Sequence, residues 1–431
     1  MNGIDRRTAT ACPCPAARDS LYTSVHVVEL DLAEPGELRS PGGIGSAAPD
    51  GRVLALVRLH GHPLGLVTAT GRADDQVGLR RALVEAAFTE IPITAAQLTT
   101  ARIGVPRRRA GVGSSAAPPL ISVVIGTRNR PELLRGCLDS VLRIEGPQYE
   151  VLVVDNAPAG DEARRLIRER YADRVRYLRE PVPGLARAHN LGLAAARGEL
   201  IAFTDDDTLV DRHWLAALAT AFADDPAVGC VTGLILPAEL ETAGQAALER
   251  HGGSRKGFTP RRWSLDLPSG DPLFPFTARQ FGSGANMAFR TGVLRAFGGF
   301  DPATGVGTPA HGGDDLLAFF RIVTGGHVLS YQPDALVWHR HRGAPDALPA
   351  RLYGYGAGLG AYLTAAVTAE PRLLPALLRR VPRGLRHAAA QAGGRTTPPG
   401  RRSARLAAWE LRGMLYGPLG YLRSLHLSRT G

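Results

Sequence analysis

Lysine is almost missing from this chain. Among 431 residues only Lys256 carries a side-chain amine, so the positive charge rests on arginine. The net charge of +11 and the pI near 10.0 therefore read as the mark of an Arg-, Ala- and Gly-rich composition rather than of a nucleic-acid surface. From residue 351 onward thirteen arginines face only Glu370 and Glu410, an excess as large as that of the whole chain. No basic repeat interleaved with aromatics accompanies it, so a nucleic-acid partner is not expected. Cysteine is scarce too: Cys12 and Cys14 sit in a Pro/Ala-rich leader, and Cys137 and Cys230 fall inside apolar patterns. Four scattered cysteines make neither a disulfide framework nor a zinc site, which favours a reducing compartment. No apolar core follows Arg6-Arg7, so no export signal is read there. No run reaches the roughly 18 apolar residues of a membrane-spanning helix. Nor is there a Gly-x-Gly-x-x-Gly after a strand or a Gly-Lys-Ser/Thr loop anywhere, which disfavours dinucleotide and phosphate-loop ATPase folds.

What is present divides the chain into parts. A length of 431 residues exceeds one compact domain, and a hydrophobic content of 44% is enough to bury sizeable cores. Residues 1–20 read as a disordered leader and 21–101 as a small α+β module. That module has strands at Val25–Leu30, Arg52–Leu59 and Pro63–Val67 and a helix at Leu79–Phe88. It shows no catalytic pattern; His60 and His62 read as hairpin surface residues rather than metal ligands. Residues 102–119, rich in Arg, Gly, Ser and Pro, read as a linker.

From Leu120 strand and helix patterns alternate, which predicts a parallel sheet with right-handed crossovers. Ligands in such sheets sit beyond the carboxyl ends of the strands. Three of these ends are polar: Thr127-Arg128-Asn129-Arg130, Asp155-Asn156 and Asp205-Asp206-Asp207. The last follows the apolar run Leu200–Phe203. Adjacent carboxylates repel one another, and a hard divalent cation gripping a diphosphate gives a reason to gather them. A solvated acidic turn capping the next helix is the plainer reading. A nucleotide held without a glycine cradle needs its phosphate charge met by metal and side chains, and the triplet fits that need.

Residues 120–342 resemble family 2 glycosyltransferases with the A-type, nucleotide-sugar-binding fold. The resemblance is carried by Ile121–Arg130, Val153–Asn156, Pro183–Asn190, Arg197–Asp207, Gly282–Arg290, Gly298–Asp301, Gly312–Asp315 and Trp338–Arg342, in that order. It implies an α/β fold, a mostly parallel Rossmann-like sheet flanked by helices, with the small N-terminal module before it and a helical tail, residues 343–431, after it. It also implies a metal-dependent, inverting hexosyltransferase that uses a nucleotide diphosphate sugar and a hydroxyl acceptor. Mg²⁺ or Mn²⁺ would be held by Asp205, Asp207 and His339, the last preferred to His341. Asp155 would bind base or ribose, and Thr127, Arg128, Asn129, Asn156, Asp206 and Asn190 would complete the donor site. Where relatives place an arginine before the asparagine of the third motif this chain has His189, and Arg187 would stand in for it. The general base would be Asp315, at the head of an apolar helix. Asp314 could cap that helix, since acids are favoured at helix N-termini.

Two other segments invite a reading. Residues 252–279 suggest a mobile loop closing over donor and acceptor, or a plain surface excursion. In the tail, Tyr353–Val367 is broken by four glycines and, as a helix, would reach only about 22 Å, too short to span a bilayer. Its arginines beside apolar stretches at 373–378 and 406–427 suit an anionic membrane surface, or else packing on the rest of the protein. The expected location is cytoplasmic, either free or peripheral at the inner face of a membrane. The rival readings are a sugar nucleotidylyltransferase, which would want a Gly-rich Arg/Lys loop after the first strand, and a basic membrane-surface or nucleic-acid binder.

Overall fold

The computed structural model describes residues 22–93, 119–252, 256–340, 348–380, 382–383 and 401–430. The leader at 1–20, nearly all of the 102–119 linker, and His341 lie outside the described residues.

Two sheets organise the chain. The first contains Val25–Asp31 (β1), Leu38–Arg39 (β2), Gly51–Leu59 (β3) and His62–Gly71 (β4), in the order β2-β1-β3-β4, followed by helix Gln76–Glu90 (α1). Leu79, Leu83 and Ala87 of α1 recur at helical spacing and are buried against this sheet. A two-residue turn joins β3 to β4, with His60 (φ 54°) and Gly61 (φ 88°) both left-handed, as a tight hairpin requires.

The second sheet contains nine strands: Ile121–Thr127 (β5), Tyr149–Asn156 (β6), Val175–Glu180 (β7), Leu200–Asp205 (β8), Thr208–Val210 (β9), Val228–Pro237 (β10), Arg261–Trp263 (β11), Met287–Arg290 (β12) and Val328–His339 (β13). Their order is β11-β13-β10-β12-β8-β5-β6-β7, and β9 pairs with β13. The run β8-β5-β6-β7 is parallel, whereas β12 lies antiparallel between β8 and β10, so the sheet is mixed. Strand alternation divides the core in two. Val124, Leu152 and Phe203 face one side, with helices Leu185–Ala195 (α4) and Asp314–Thr324 (α8). Val123, Val153 and Ala202 face the other, with Pro131–Val141 (α2) and Trp214–Ala223 (α5). Glu162–Arg170 (α3), Ala243–Gly252 (α6) and Thr291–Ala296 (α7) complete this part.

The two sheets are joined by buried charge. Arg58 Nη2 of β3 lies 2.6 Å from Glu29 Oε2 of β1 and 2.8 Å from Asp211 Oδ2, just past β9. His62 Nδ1 lies 3.0 Å from Asp334 Oδ2 of β13, so this histidine links the two sheets, and among the described residues it belongs to no metal-ligating cluster.

Residues 256–281 differ from an open loop. Trp263 is buried on β11 at the sheet edge, and Phe274, Phe276 and Phe281 enter the core. Aromatic anchors, not visible as a pattern because they are irregularly spaced, hold this excursion down.

The tail is also longer and more ordered than its glycines suggest. Leu348–Ala369 (α9) is one 22-residue helix and Arg401–Thr430 (α10) one of 30. Gly356 and Gly360 of α9 meet Gly413 and Gly417 of α10, and the two backbones touch. A Cβ on Gly356 would strike the Glu410 carbonyl, and one on Gly413 the Tyr353 carbonyl. The glycines are thus contact positions of a close helix crossing, not interruptions. The other side of α9 presses on residues 312–313, where a Cβ on Gly358 would come 3.1 Å from Gly312. No helix among the described residues is long and apolar enough to cross a membrane.

Candidate active site

Strand register gathers the polar ends. Thr127 stands opposite Asp155 on β6, and Gly126 opposite Asp205 on β8. Asp205–Asp207 form the turn between β8 and β9. Thr208 Oγ1 and Cys137 Sγ fix this turn by donating to the Asp205 carbonyl at 2.8 and 3.3 Å, and Arg340 N donates to the Asp207 carbonyl at 2.8 Å. Because β9 pairs antiparallel with β13, His339 lies opposite Thr208 and therefore beside Asp207.

Asp205, Asp207 and His339 each turn a ligating atom to a common point, and these atoms lie within 4.8 Å of one another. His339 Nε2 is 3.2 Å from Asp207 Oδ1. Burial, with the charge of Asp207 beside it, raises the Asp205 carboxyl to about 7. Against burial, His339 and Arg130 bring Asp207 below the usual range. The middle acid points away: Asp206 accepts from Thr127 Oγ1 at 2.8 Å and from Arg130 Nη1 at 3.0 Å. Arg130 also reaches Asp207 Oδ2 at 3.4 Å. The sequence reading had no role for Arg130, although it ends the first motif; alternation along the strand cannot show which way a residue past its end turns.

Two cavities meet here. One, of about 250 Å³, is walled by Thr127, Arg128, Arg130, Asn156 and Asp205–Asp207. The other, of about 360 Å³, is walled by Asp205, His339, Asp314, Asp315, Lys256 and Arg279 among others. Asp205, Leu185 and Val306 belong to both walls.

Asp315, in the first turn of α8, accepts from Gly284 N and from Leu316 N, both at 2.8 Å. Burial and then the charge of Asp314 raise it to about 6, while the two backbone bonds oppose the rise. A carboxylate accepts at several lone pairs, so both oxygens keep capacity for a further partner. Asp314 is the first residue of α8, with Gly313 in the N-cap place. It is buried with Oδ2 3.4 Å from His189 Nδ1, and His189 is held between Phe203 and Phe300. His189 thus lies in the wall of the larger cavity, whereas Arg128 and Arg130 line the smaller one.

The remaining candidates are placed as follows. Asp155 is 1% exposed; Tyr177 OH donates to its Oδ2 at 2.9 Å, Oδ1 has no hydrogen-bond partner, and burial raises its pKa. Asn156 holds the 182–184 loop, donating to Val182 O and accepting from Gly184 N. Asn190 pairs both amide atoms with the backbone of Phe300, and Asn129 Oδ1 accepts from Ala159 N. Asn129, Arg187 and Asn190 line neither cavity. The loop before Asp314 is packed rather than loose: Gly313 takes φ 94°, and His311 sits against the rings of Tyr353 and Tyr416.

Comparison with known proteins follows this geometry. The family model for "Glycosyl transferase family 2" matches residues 122–298. The pre-mycofactocin glycosyltransferase of Mycobacterium tuberculosis is 30% identical over 224 residues, 52% of this chain and 43% of its own length. The O-antigen biosynthesis protein RfbC of Myxococcus xanthus is 32% identical over 179 residues, 41% of this chain and 12% of its own. The chain thus spans less than half the length of either relative. The mannosyltransferase PcManGT of Pyrobaculum calidifontis, solved with GDP-Man and Mn²⁺, aligns over 73% of this chain and 88% of its own, at 22% identity and a TM-score of 0.42. Residues 122–298, the stretch that holds most of the larger α/β sheet, are therefore similar to glycosyl transferase family 2.

Proposed function

We propose that this protein moves a sugar from a nucleotide diphosphate sugar to an acceptor hydroxyl, inverting the anomeric carbon. The observation that carries this reading is the place of Asp205, in the wall of both cavities, with the donor-side residues in one and Asp315 in the other. In this reading the smaller cavity takes the nucleotide. Thr127 and Arg128 line it, Asp206 keeps Thr127 and Arg130 in place, and Asn156 shapes its rim. The unmatched Asp155 oxygen, at the neighbouring strand end, suits a donor group of base or ribose. Asn129, Arg187 and Asn190, which line neither cavity, take no direct part.

Two carboxylates and an imidazole fit a divalent cation, and the nitrogen ligand suits Mn²⁺ better than Mg²⁺. When bound, such a cation neutralises charge developing on the leaving diphosphate. Asp315 takes the proton of the acceptor hydroxyl as that oxygen bonds to the anomeric carbon. The bond from this carbon to the diphosphate oxygen breaks, and its electron pair leaves with the diphosphate. Opposite-side attack inverts the centre.

Incubation with a panel of nucleotide sugars and Mn²⁺ tests the reading. Metal-dependent release of a nucleoside diphosphate is expected from at least one donor. Absence of both release and binding across the panel would overturn it.

A second surface favours an anionic membrane as the place of action. On α10, Leu411, Leu415 and Leu422 share one face and are exposed, Leu415 to 73%. Exposed Arg405, Arg412 and Arg423 flank them on the same helix. Leucines bordered by guanidinium groups match an anionic lipid surface in both apolarity and charge.

A further inference from the structure

The larger cavity has a cationic end that the transfer reaction does not use. Lys256, the only lysine of the chain, and Arg279 both line it. Arg279 already has an anion, Glu410 of α10, and its guanidinium lies 5.9 Å over the Tyr355 ring. Lys256 has none among the described residues. Burial, followed by the charges of Arg279 and Arg261, lowers its amine to about 8.

The acids of the same cavity are engaged elsewhere. Asp205 faces Asp207 and His339, Asp314 faces His189, and Asp315 holds the N–H groups of Gly284 and Leu316. A half-buried ammonium set against two guanidinium groups is unfavourable in isolation. It becomes favourable when an oxyanion enters, because a charge-assisted bond in a partly desolvated site is strong.

We infer that Lys256 and Arg279 form a subsite for an oxyanion, phosphate or carboxylate, carried by the acceptor whose hydroxyl lies at Asp315. The inference rests on the transferase reading and names its substrate class: an anionic acceptor rather than a neutral one. Lys256 supplies a compact point charge, which suits a phosphate or carboxylate approached from varied angles. Arg279, already paired and stacked, shapes the wall beside it.

The scarcity of lysine makes the test direct. The full chain with Mn²⁺ is treated with N-hydroxysuccinimide acetate at pH 8, and acetylation at Lys256 is followed by peptide mass spectrometry, with the α-amine as internal reference. Glycerol 3-phosphate, glycerate and glycerol are compared at equal ionic strength. At least one of the two anions is expected to slow Lys256 acetylation threefold or more relative to the reference, with glycerol inert. Protection by glycerol 3-phosphate alone assigns phosphate, by glycerate alone carboxylate, and by both an unselective oxyanion site. Equal rates with all three compounds overturn the subsite. The readout needs no turnover, so it separates from the donor reading. Lost protection with intact Mn²⁺-dependent nucleotide binding removes the subsite alone, and the reverse removes the donor assignment alone.

Discussion

The N–H of Gly284 donates to Asp315 Oδ2 at 2.8 Å, tying the head of α8 to the turn that enters β12. With Leu316 N on the other oxygen, the carboxylate is fixed in orientation before any substrate arrives. Asp315→Asn keeps the shape of this arrangement and removes the proton acceptor. Transfer should fall by about 10²–10⁴, the usual contribution of general-base catalysis, with donor affinity unchanged. Parallel measurement of kcat and donor binding checks this; a joint collapse would place Asp315 in the donor site.

The same residue sets a pH dependence. Burial raises Asp315 to about 6, so below that pH it is increasingly protonated and cannot act as a base. The rate should therefore fall roughly tenfold per pH unit below about 6 and level off above it. A profile flat from pH 5 to 8 in the transfer step would contradict the assignment.

Asp207→Asn should abolish turnover while the fold survives, because it removes one of the three proposed metal ligands. Nucleotide binding, followed calorimetrically with and without Mn²⁺, should lose its metal dependence. Turnover near the wild-type rate would exclude Asp207 as a ligand.

The helix pair answers to a different measurement. Gly413→Val drives a side chain into the Tyr353 carbonyl and forces α9 and α10 apart. Overpacking of this kind costs about 1–3 kcal/mol, readable as a lowered urea midpoint. Leu415→Gln, on the exposed face, should leave the midpoint within about 0.5 kcal/mol.

That exposed face also gives the membrane test. The full chain should co-sediment with vesicles containing anionic lipid at low salt and not with neutral ones. Leu411, Leu415 and Leu422 replaced together by Gln should lose this binding without losing the fold. Removing the tail would be a poor substitute, since α9 presses on residues 312–313 beside Asp315. Equal binding of the triple variant would show that these leucines do not meet lipid.

Much of the site was legible because a parallel sheet converts sequence order into geometry. The ends of β5, β6 and β8 must share one edge, so Thr127, Asp155 and Asp205 could be placed together from apolar runs alone. Relations between distant segments were not legible in this way. The sequence cannot show that the backbone at 182–184 and at Phe300 takes the amides of Asn156 and Asn190, nor that Asn156 lines the smaller cavity while Asn190 does not. Four glycines in Tyr353–Val367 suggest a weak helix until α10 is brought against Gly356 and Gly360, and Gly312 against Gly358. The Arg58–Glu29–Asp211 group likewise joins segments that no local pattern connects.

The seating of the helix pair has a consequence for how the protein is made. The Asp205–Asp207–His339 cluster is complete once His339 exists, but the packing around residues 301–313 is not. That packing includes Tyr416, whose ring lies against His311, and Tyr421, whose hydroxyl donates to Asp301 Oδ2 at 3.1 Å. At ordinary synthesis rates of about 5–20 residues per second, several seconds separate the two. During that interval His311 and Asp301 lack the ring and hydroxyl that α10 brings to them, so the segment leading into α8 gains its full packing only when the last helix is made.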